Sequence, residues 1–348
     1  MAIQVNPKDS LQCTWPDANR DEWTFYHHLI DYLNVYPIAH EDEVPVHSKD
    51  KKVPYVPQWS LHRFILVYSG IPLLIHQAFS SYTGYTLGSF AAFNYYFFAF
   101  NAFLIYEAQV LRRLSCMFGF LDGDRHERDG IPDVGIKKIV LSLYKMTSSR
   151  LVMAIYFSYS PNQLPAEMNW VWLPLEIGLY GIVLDFWFYW YHRAMHDVDF
   201  LWRFHRTHHL TKHPNTLLSA YADHGQEFFD MVGVPFCTYL TLGAFGVPIG
   251  FYELWVCHAY VAFTEISGHS GLRIHGPAPS TLSWLLVLFN ADIVIEDHDL
   301  HHRKGYRKSY NYGKQTRLWD RIFGTCHDRI ESVKDNVDYD NTAPIPLY

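Results

Sequence analysis

The sequence predicts an all-α fold: an integral membrane helical bundle of about four crossings plus a re-entrant or third hairpin, with a cytosolic helical cap carrying a histidine-rich dimetal site. Three observations predict it. The 43 residues from Phe64 to Tyr106 contain no Asp, Glu, Lys or Arg. Aromatic residues make up 17% of the chain, and Trp and Tyr gather at membrane interfaces, where an apolar ring and a polar tip are both satisfied. Histidines recur in three boxes, HRAMH (192–196), HRTHH (205–209) and HDLHH (298–302), with His224 and His269 as single histidines between the second and the third.

Residues 1–60 are polar and proline-punctuated, and read as a mostly extended cytosolic segment with one short amphipathic helix near 22–35. Its acids Glu41, Asp42 and Glu43 and its lysines Lys49, Lys51 and Lys52 read as a solvated face. The opening MAIQVNPKDSLQ lacks the apolar core of a cleavable signal peptide. Residues 61–174 read as membrane hairpins and a basic linker. The uncharged run would be ~65 Å long as helix, enough to cross a ~30 Å hydrocarbon core twice, with Ser80–Gly84 as the turn. Residues 107–150 carry Arg112, Arg113, Arg125, Arg128, Lys137, Lys138, Lys145 and Arg150, which places them on the cytosolic side.

A second hairpin follows, with Leu151–Ser160 as its short first arm, a turn at 161–167 and an aromatic return helix at Trp170–Tyr191. Glu176 and Asp185 lie inside that helix and must face protein, metal or water. Residues 175–330 then hold all three boxes. Met231–Tyr252 and Glu253–Ile266 read as a third hairpin, broken by Pro235, Gly243, Gly246 and Pro248. A hairpin returns the chain to its starting side, so His224 before it and His269 after it meet at one site. Residues 331–348 are a polar tail. A net charge of −7 gives no reason to expect a nucleic-acid partner. Five scattered cysteines suggest no disulfide framework and a reducing cytosolic face.

On a helix, residues three and four apart share a face. HRAMH therefore points His192 and His196 in one direction. Each H-x-x-H-H presents three rings together: His205, His208 and His209 in one box, His298, His301 and His302 in the other. Packed imidazoles repel when protonated and strand their nitrogens when neutral, so such clusters are costly without metal. The box histidines with His224 and His269 exceed the four ligands of one tetrahedral ion, and a pair of ions accounts for them. Asp197, Asp223, Asp297 and Asp299 are expected to orient the rings. Asp185, two turns before His192, either does the same or makes a helix–helix hydrogen bond. Imidazole suits zinc, copper, iron or nickel, and the lack of Cys in the boxes argues against zinc fingers and iron–sulfur clusters.

The remaining histidines read differently. His213 and His275 are neighbours of the site or interfacial residues, and His27, His28, His40, His47, His62, His76, His126, His258 and His327 are surface or packing residues. Arg193, Arg206 and Arg303 adjoin boxes; they cap helices or pair with aspartates, or alternatively receive an anionic donor protein or lipid headgroups.

Taken together, HRAMH, HRTHH, His224 in YADHGQE, GHSG (268–271), HDLHH and the closing NYGKQTRLWDRIFGT (311–325) resemble the sterol desaturase and fatty acid hydroxylase superfamily over about residues 175–328. The resemblance implies a multi-pass endoplasmic reticulum protein with its boxes on the cytosolic side. It implies two iron ions on the box histidines, His224 and His269, with zinc an option in purified protein, and no catalytic residue beyond the metal ligands. It also implies O2 as co-substrate, with electrons from an external cytochrome b5 and an NAD(P)H-dependent reductase. The chain carries only His213-Pro214-Asn215, not the HPGG motif of a fused cytochrome b5 domain. Two departures stand out: Tyr221 replaces a histidine often found three residues before the His224 position, and His275 is an extra histidine after GHSG.

The implied chemistry is oxidative attack on an unactivated C–H bond of a lipid-like substrate: a sterol, a terpenoid, or a fatty acyl or sphingoid chain. An alcohol is the first expectation, an alkene (as from a sterol C-5 desaturase) the alternative, and aldehyde formation or C–C cleavage the third. The aromatic-rich N-terminal half fits a flat polycyclic ligand. A rival reading is a metal-binding membrane protein that is no enzyme, such as a transporter. Transporter sites sit near the bilayer midplane on broken helices, whereas these boxes lie in charged sequence such as EDHDLHHRKGYRK.

Overall fold

The computed structural model describes residues 9–36, 44–122, 128–247 and 249–348. Glu41–Glu43, His40, Arg125, His126 and Pro248 lie outside the described residues. The architecture is helical. A short helix α1 (Phe25–Tyr32) precedes the long pair α2 (Gln58–Thr83) and α3 (Ser89–Phe118). The next long pair is α4 (Ile136–Ser158) and α5 (Leu173–Asp197). The cap follows as α6 (Asp199–His205), α7 (His224–Phe228), α8 (Val234–Ala244), α9 (Phe251–Gly268), α10 (Ser283–Leu288), α11 (Ile295–Arg303) and α12 (Leu318–Phe323).

The α2–α3 turn begins at the last residue of the expected Ser80–Gly84 stretch, and Ser80–Thr83 are the last turn of α2. Gly84 ends α2 with φ +72°, a left-handed conformation that glycine adopts without a Cβ penalty. The expected basic linker is different. Arg112 and Arg113 ride in α3 and Lys137–Arg150 in α4, so much of residues 107–150 is helix. The reason is periodicity: Ile136, Ile139, Leu151 and Ala154 recur at helical spacing and are buried, Lys137 and Lys145 face outward, and of the basic residues of α4 only Arg150 is buried.

Residues 224–244 form one helical run with a π-turn at Phe229–Gly233. The third hairpin's second arm, α9, is the centre of the molecule. Every residue from Phe251 to Ile266 is buried, and α9 packs against α2, α3, α4, α5 and α11. Around it the main core includes Phe64, Tyr96, Phe100, Tyr180, Trp255 and Phe263. A second cluster under α1 holds Trp15, Ile30, Ile139 and Tyr221.

One small departure from all-α is a parallel pair of strands, β1 (Val53–Tyr55) and β2 (Val337–Thr342), which joins the lead-in to the tail. Of the expected crossings, α2 is the one helix among the described residues that is long and apolar enough to span a membrane by itself. The tyrosines and asparagines of α3, the lysines of α4 and the brevity of α8 set those helices apart. Large apolar side chains nonetheless face outward on several helices, among them Leu74, Phe90, Tyr156, Trp190, Leu240 and Trp284.

Candidate metal centre

Nine of the ten expected ligands converge in two nests at the inner ends of α5, α9 and α11. His192, His196, His205, His209 and His301 form one, and His208, His269, His298 and His302 the other. All nine are buried, and within each nest the candidate ligand atoms lie within 4.8 Å of one another.

The boxes are not the units of the site. HRAMH contributes both rings to the first nest from the last turns of α5. HRTHH straddles the end of α6 and a 3₁₀ turn at His208–Leu210, so it is not the continuous helix its spacing suggests. His205 and His209 join the first nest and His208 the second. HDLHH is helical on α11, yet His301 joins the first nest while His298 and His302 join the second. The expectation that each H-x-x-H-H presents three rings to one point is corrected: its i and i+4 rings share a nest, and its i+3 ring belongs to the other.

Ring orientation shows what the nests are built to hold. His192 Nδ1 lies 2.8 Å from the Tyr312 carbonyl, His196 Nδ1 3.2 Å from that of Arg307, and His301 Nδ1 2.6 Å from that of Tyr310. His205 Nδ1 meets Gln226 Oε1 at 2.9 Å. In the second nest His269 Nδ1 faces the Glu265 carbonyl (2.7 Å) and His302 Nδ1 that of Thr211 (3.2 Å). A neutral imidazole has one ring proton. A carbonyl only accepts, so these rings place the proton on Nδ1 and a lone pair on Nε2.

The lone pairs of His192 Nε2 and His205 Nε2 then face each other, 3.0 Å apart. His209 Nε2 lies 3.0 Å from both His205 Nε2 and His301 Nε2 and can donate to only one of them, and His298 Nε2 lies 3.0 Å from His269 Nε2. Burial and the neighbouring imidazoles hold His205, His209 and His301 well below the usual histidine range, so an added proton does not relieve the contact. His196 Nε2 and His302 Nε2 are buried with no partner among the described residues. A cation answers both features. The donor set fits two metal ions, one in each nest.

The aspartates expected to orient the rings do other work. Asp197 pairs with Arg193 (3.3 Å) and Asp223 with Lys138 (2.8 Å). Asp299 holds Arg128 and Arg303, and Asp297 holds Arg329 (2.8 Å). The cause is helical phase: α11 turns its histidines to the nests and its acids to buried arginines on the far side. Asp185 accepts from the backbone N–H groups of Lys314, Gln315 and Thr316, and Asp320 from those of Tyr312 and Gly313. These two carboxylates fix the loop whose carbonyls orient His192 and His301. Gly313 sits between them, where a Cβ would collide with the Thr316 carbonyl.

His224 does not reach either nest. Its side chain is 72% exposed and its Nδ1 lies 2.9 Å from Glu227 Oε2. It opens α7, and at the N-terminus of that helix it faces Lys145 rather than the interior. His213 pairs with Asp122 (3.0 Å), and His275 stacks on Tyr55. Tyr221 is buried in the second cluster. Arg206 pairs with Asp9 at 2.6 Å, so all three box-adjacent arginines bind aspartates. His76 and His258 form buried pairs with tyrosine hydroxyls, and His62 a half-buried one. The five cysteines are free.

Sequence reasoning missed Gln226, Tyr312 and Trp202. Gln226 orients His205, and Tyr312 and Trp202 wall the first nest with rings 5.3 Å from that of His196. Backbone acceptors leave no residue signature, and Gln226 was visible only as the third residue of the short helix opened by His224.

Residues 177–325 match the profile of the fatty acid hydroxylase family. A fatty acid hydroxylase from Lecanicillium sp. is 45% identical over 309 residues, covering 85% of this chain and 84% of that protein. An alkylglycerol monooxygenase from Xenopus tropicalis is 28% identical over 223 residues, 63% of this chain and 42% of that protein. A methylsterol monooxygenase from Arabidopsis thaliana is 30% identical over 176 residues, 50% of this chain and 61% of that protein. No solved structure matches the chain.

Proposed function

The chain belongs to the fatty acid hydroxylase family and is an oxidoreductase, and from that premise we propose that it is a membrane-bound, O2-dependent diiron enzyme that hydroxylates an unactivated C–H bond of a lipid-like substrate. The observation that carries this reading is the pair of nests, with their inward lone pairs and no thiolate among the ligands. Two irons held there would supply the oxidising power that side chains lack. The chain's own residues do the rest. Nine histidines hold the metals, and the Tyr312, Tyr310 and Glu265 carbonyls keep the second ring nitrogens occupied. Burial keeps bulk water from the reacting carbon.

The outward-facing apolar side chains support an endoplasmic reticulum membrane setting, with the nests toward the cytosol. In this reading a separate cytochrome b5 and its NAD(P)H-dependent reductase deliver electrons. Hydroxylation is favoured over desaturation because the compared relatives are a hydroxylase and two monooxygenases. An acyl chain is favoured over a polycyclic ligand by the Lecanicillium relative. The test is turnover under isotopically labelled dioxygen with iron-loaded protein, cytochrome b5, reductase and a lipid extract. A lipid alcohol carrying the label supports the proposal. An unlabelled alkene product would make the enzyme a desaturase, and no oxygen-dependent product would remove the proposal.

A further inference from the structure

An apolar cavity of about 430 Å³ lies beneath α1, walled by Tyr26, Leu29, Leu33, Leu104, Val140 and Leu143. A smaller one of about 30 Å³ adjoins it, and Leu104, Leu143, Thr147 and Ile266 line both. The smaller cavity ends on Arg150 and Glu265. Glu265 also lines a third space, of about 20 Å³, which reaches His298. These spaces follow the last turn of α9 from an apolar chamber to the four-histidine nest.

Arg150 is an unusual residue for that path. Its side chain is 7% exposed, and the nearest carboxylate oxygen, on Glu265, is 3.7 Å away, beyond a hydrogen bond. Its other polar contact is Met231 Sδ at 3.6 Å, and its Nε has no partner among the described residues. Glu265 is already engaged by Lys314, with Nζ 2.9 Å from Oε1. A guanidinium offers five donors in a fixed fork, and burying them unmade is costly unless something else accepts them.

Building on the lipid-oxidation reading, we propose that Arg150 is a specificity-determining residue, which holds an oxygen substituent of the substrate between the apolar cavity and the nests. The ligand class is a long apolar chain bearing a hydrogen-bond-accepting oxygen. The chain occupies the chamber under α1, and the oxygen meets the guanidinium at the constriction formed by Leu104, Leu143, Thr147 and Ile266.

The experiment uses full-length, metal-loaded protein in nanodiscs. Palmitate, hexadecanol and hexadecane are added at equal membrane mole fraction, and the shift in thermal unfolding midpoint is read for each. Wild-type protein should be raised more by the two oxygenated probes than by hexadecane, and whichever of the two is stronger distinguishes a carboxylate from a hydroxyl ligand. In Arg150→Met the oxygenated probes should fall to the hexadecane shift, which should itself persist, as binding to the charged donor weakens about tenfold or more. Leu104→Trp, which fills the constriction, should reduce all three shifts.

A wild-type ranking retained in Arg150→Met would overturn the proposal, as would wild-type protein that no probe shifts. If Arg150→Met does not fold, Arg150→Lys keeps a charge beside Glu265 and should weaken the oxygenated probes alone; equal shifts would again overturn it. Binding needs no turnover, so failure of labelled oxygen to enter lipid with these shifts intact counts against the oxidation reading and leaves the Arg150 assignment standing.

Discussion

The two nests draw on the same boxes but are held in different ways. In the five-histidine nest, four rings have Nδ1 against an oxygen of Tyr312, Arg307, Tyr310 or Gln226, and only the Nδ1 of His209 lacks a partner among the described residues. In the four-histidine nest only His269 and His302 are held so, and His208 Nδ1 and His298 Nδ1 are unpartnered. The first nest is oriented by the protein before any metal enters, and the second relies more on the metal to fix its rings. The second also abuts the small cavity lined by Glu265 and His298. Two sites that share every H-x-x-H-H box thus differ in how firmly their rings are oriented and in what lies beside them.

The largest expected effect separates the nests outright. His301→Ala should lose the ion of the first nest and keep that of the second, and His298→Ala should do the reverse, with turnover falling to background in both. Metal analysis of the two variants checks this, and loss of both ions from either would show that the nests are one cooperative unit. Gln226→Leu is next. It removes the acceptor that orients His205, and should weaken metal binding about 10–100-fold in the first nest alone, measured by competition with a chelator. In the wild-type protein a chelator titration should empty the four-histidine nest first; simultaneous loss would erase the distinction.

Acid should act on the metal-free protein. Burial, then the charge of Lys314, holds His269 at about 4 against an ordinary value of 6.5. As pH falls the unfolded chain takes up its proton first, so this stabilisation is complete above ~6.5 and is lost progressively toward ~4. Unfolding midpoints of chelated protein across that window check the sign. The smallest effect belongs to His224→Ala. With its ring exposed, metal content should not change and stability should move by no more than about 0.5 kcal/mol. Loss of an ion from that variant would return His224 to the ligand set.

The sequence made the ligands legible because metal binding needs a fixed residue type at helical spacing. It also located α1 and the α2–α3 turn, where Gly84 and an uncharged run leave few alternatives. It did not show how the rings divide, since the same division of i and i+4 from i+3 arises on the broken HRTHH and on the continuous α11, from how the elements pack. The Asp297 and Asp299 assignments failed because sequence proximity does not state which face of α11 an acid occupies. The carbonyls of Tyr310 and Tyr312 were invisible, although Asp185, which holds their loop together with Asp320, was readable as an acid that must face protein, metal or water. Membrane crossings were least legible, because an uncharged run such as Met231–Tyr252 does not state whether its helices face lipid, and α9, which follows, is buried along Phe251–Ile266 inside the bundle.

The most direct test of the dimetal account is elemental analysis of detergent-purified, iron-supplemented wild-type protein beside His301→Ala. The account predicts two ions per wild-type chain, mostly iron, one for each nest, and a single ion in the variant. One ion or none in the wild type, or two retained in His301→Ala, would contradict it.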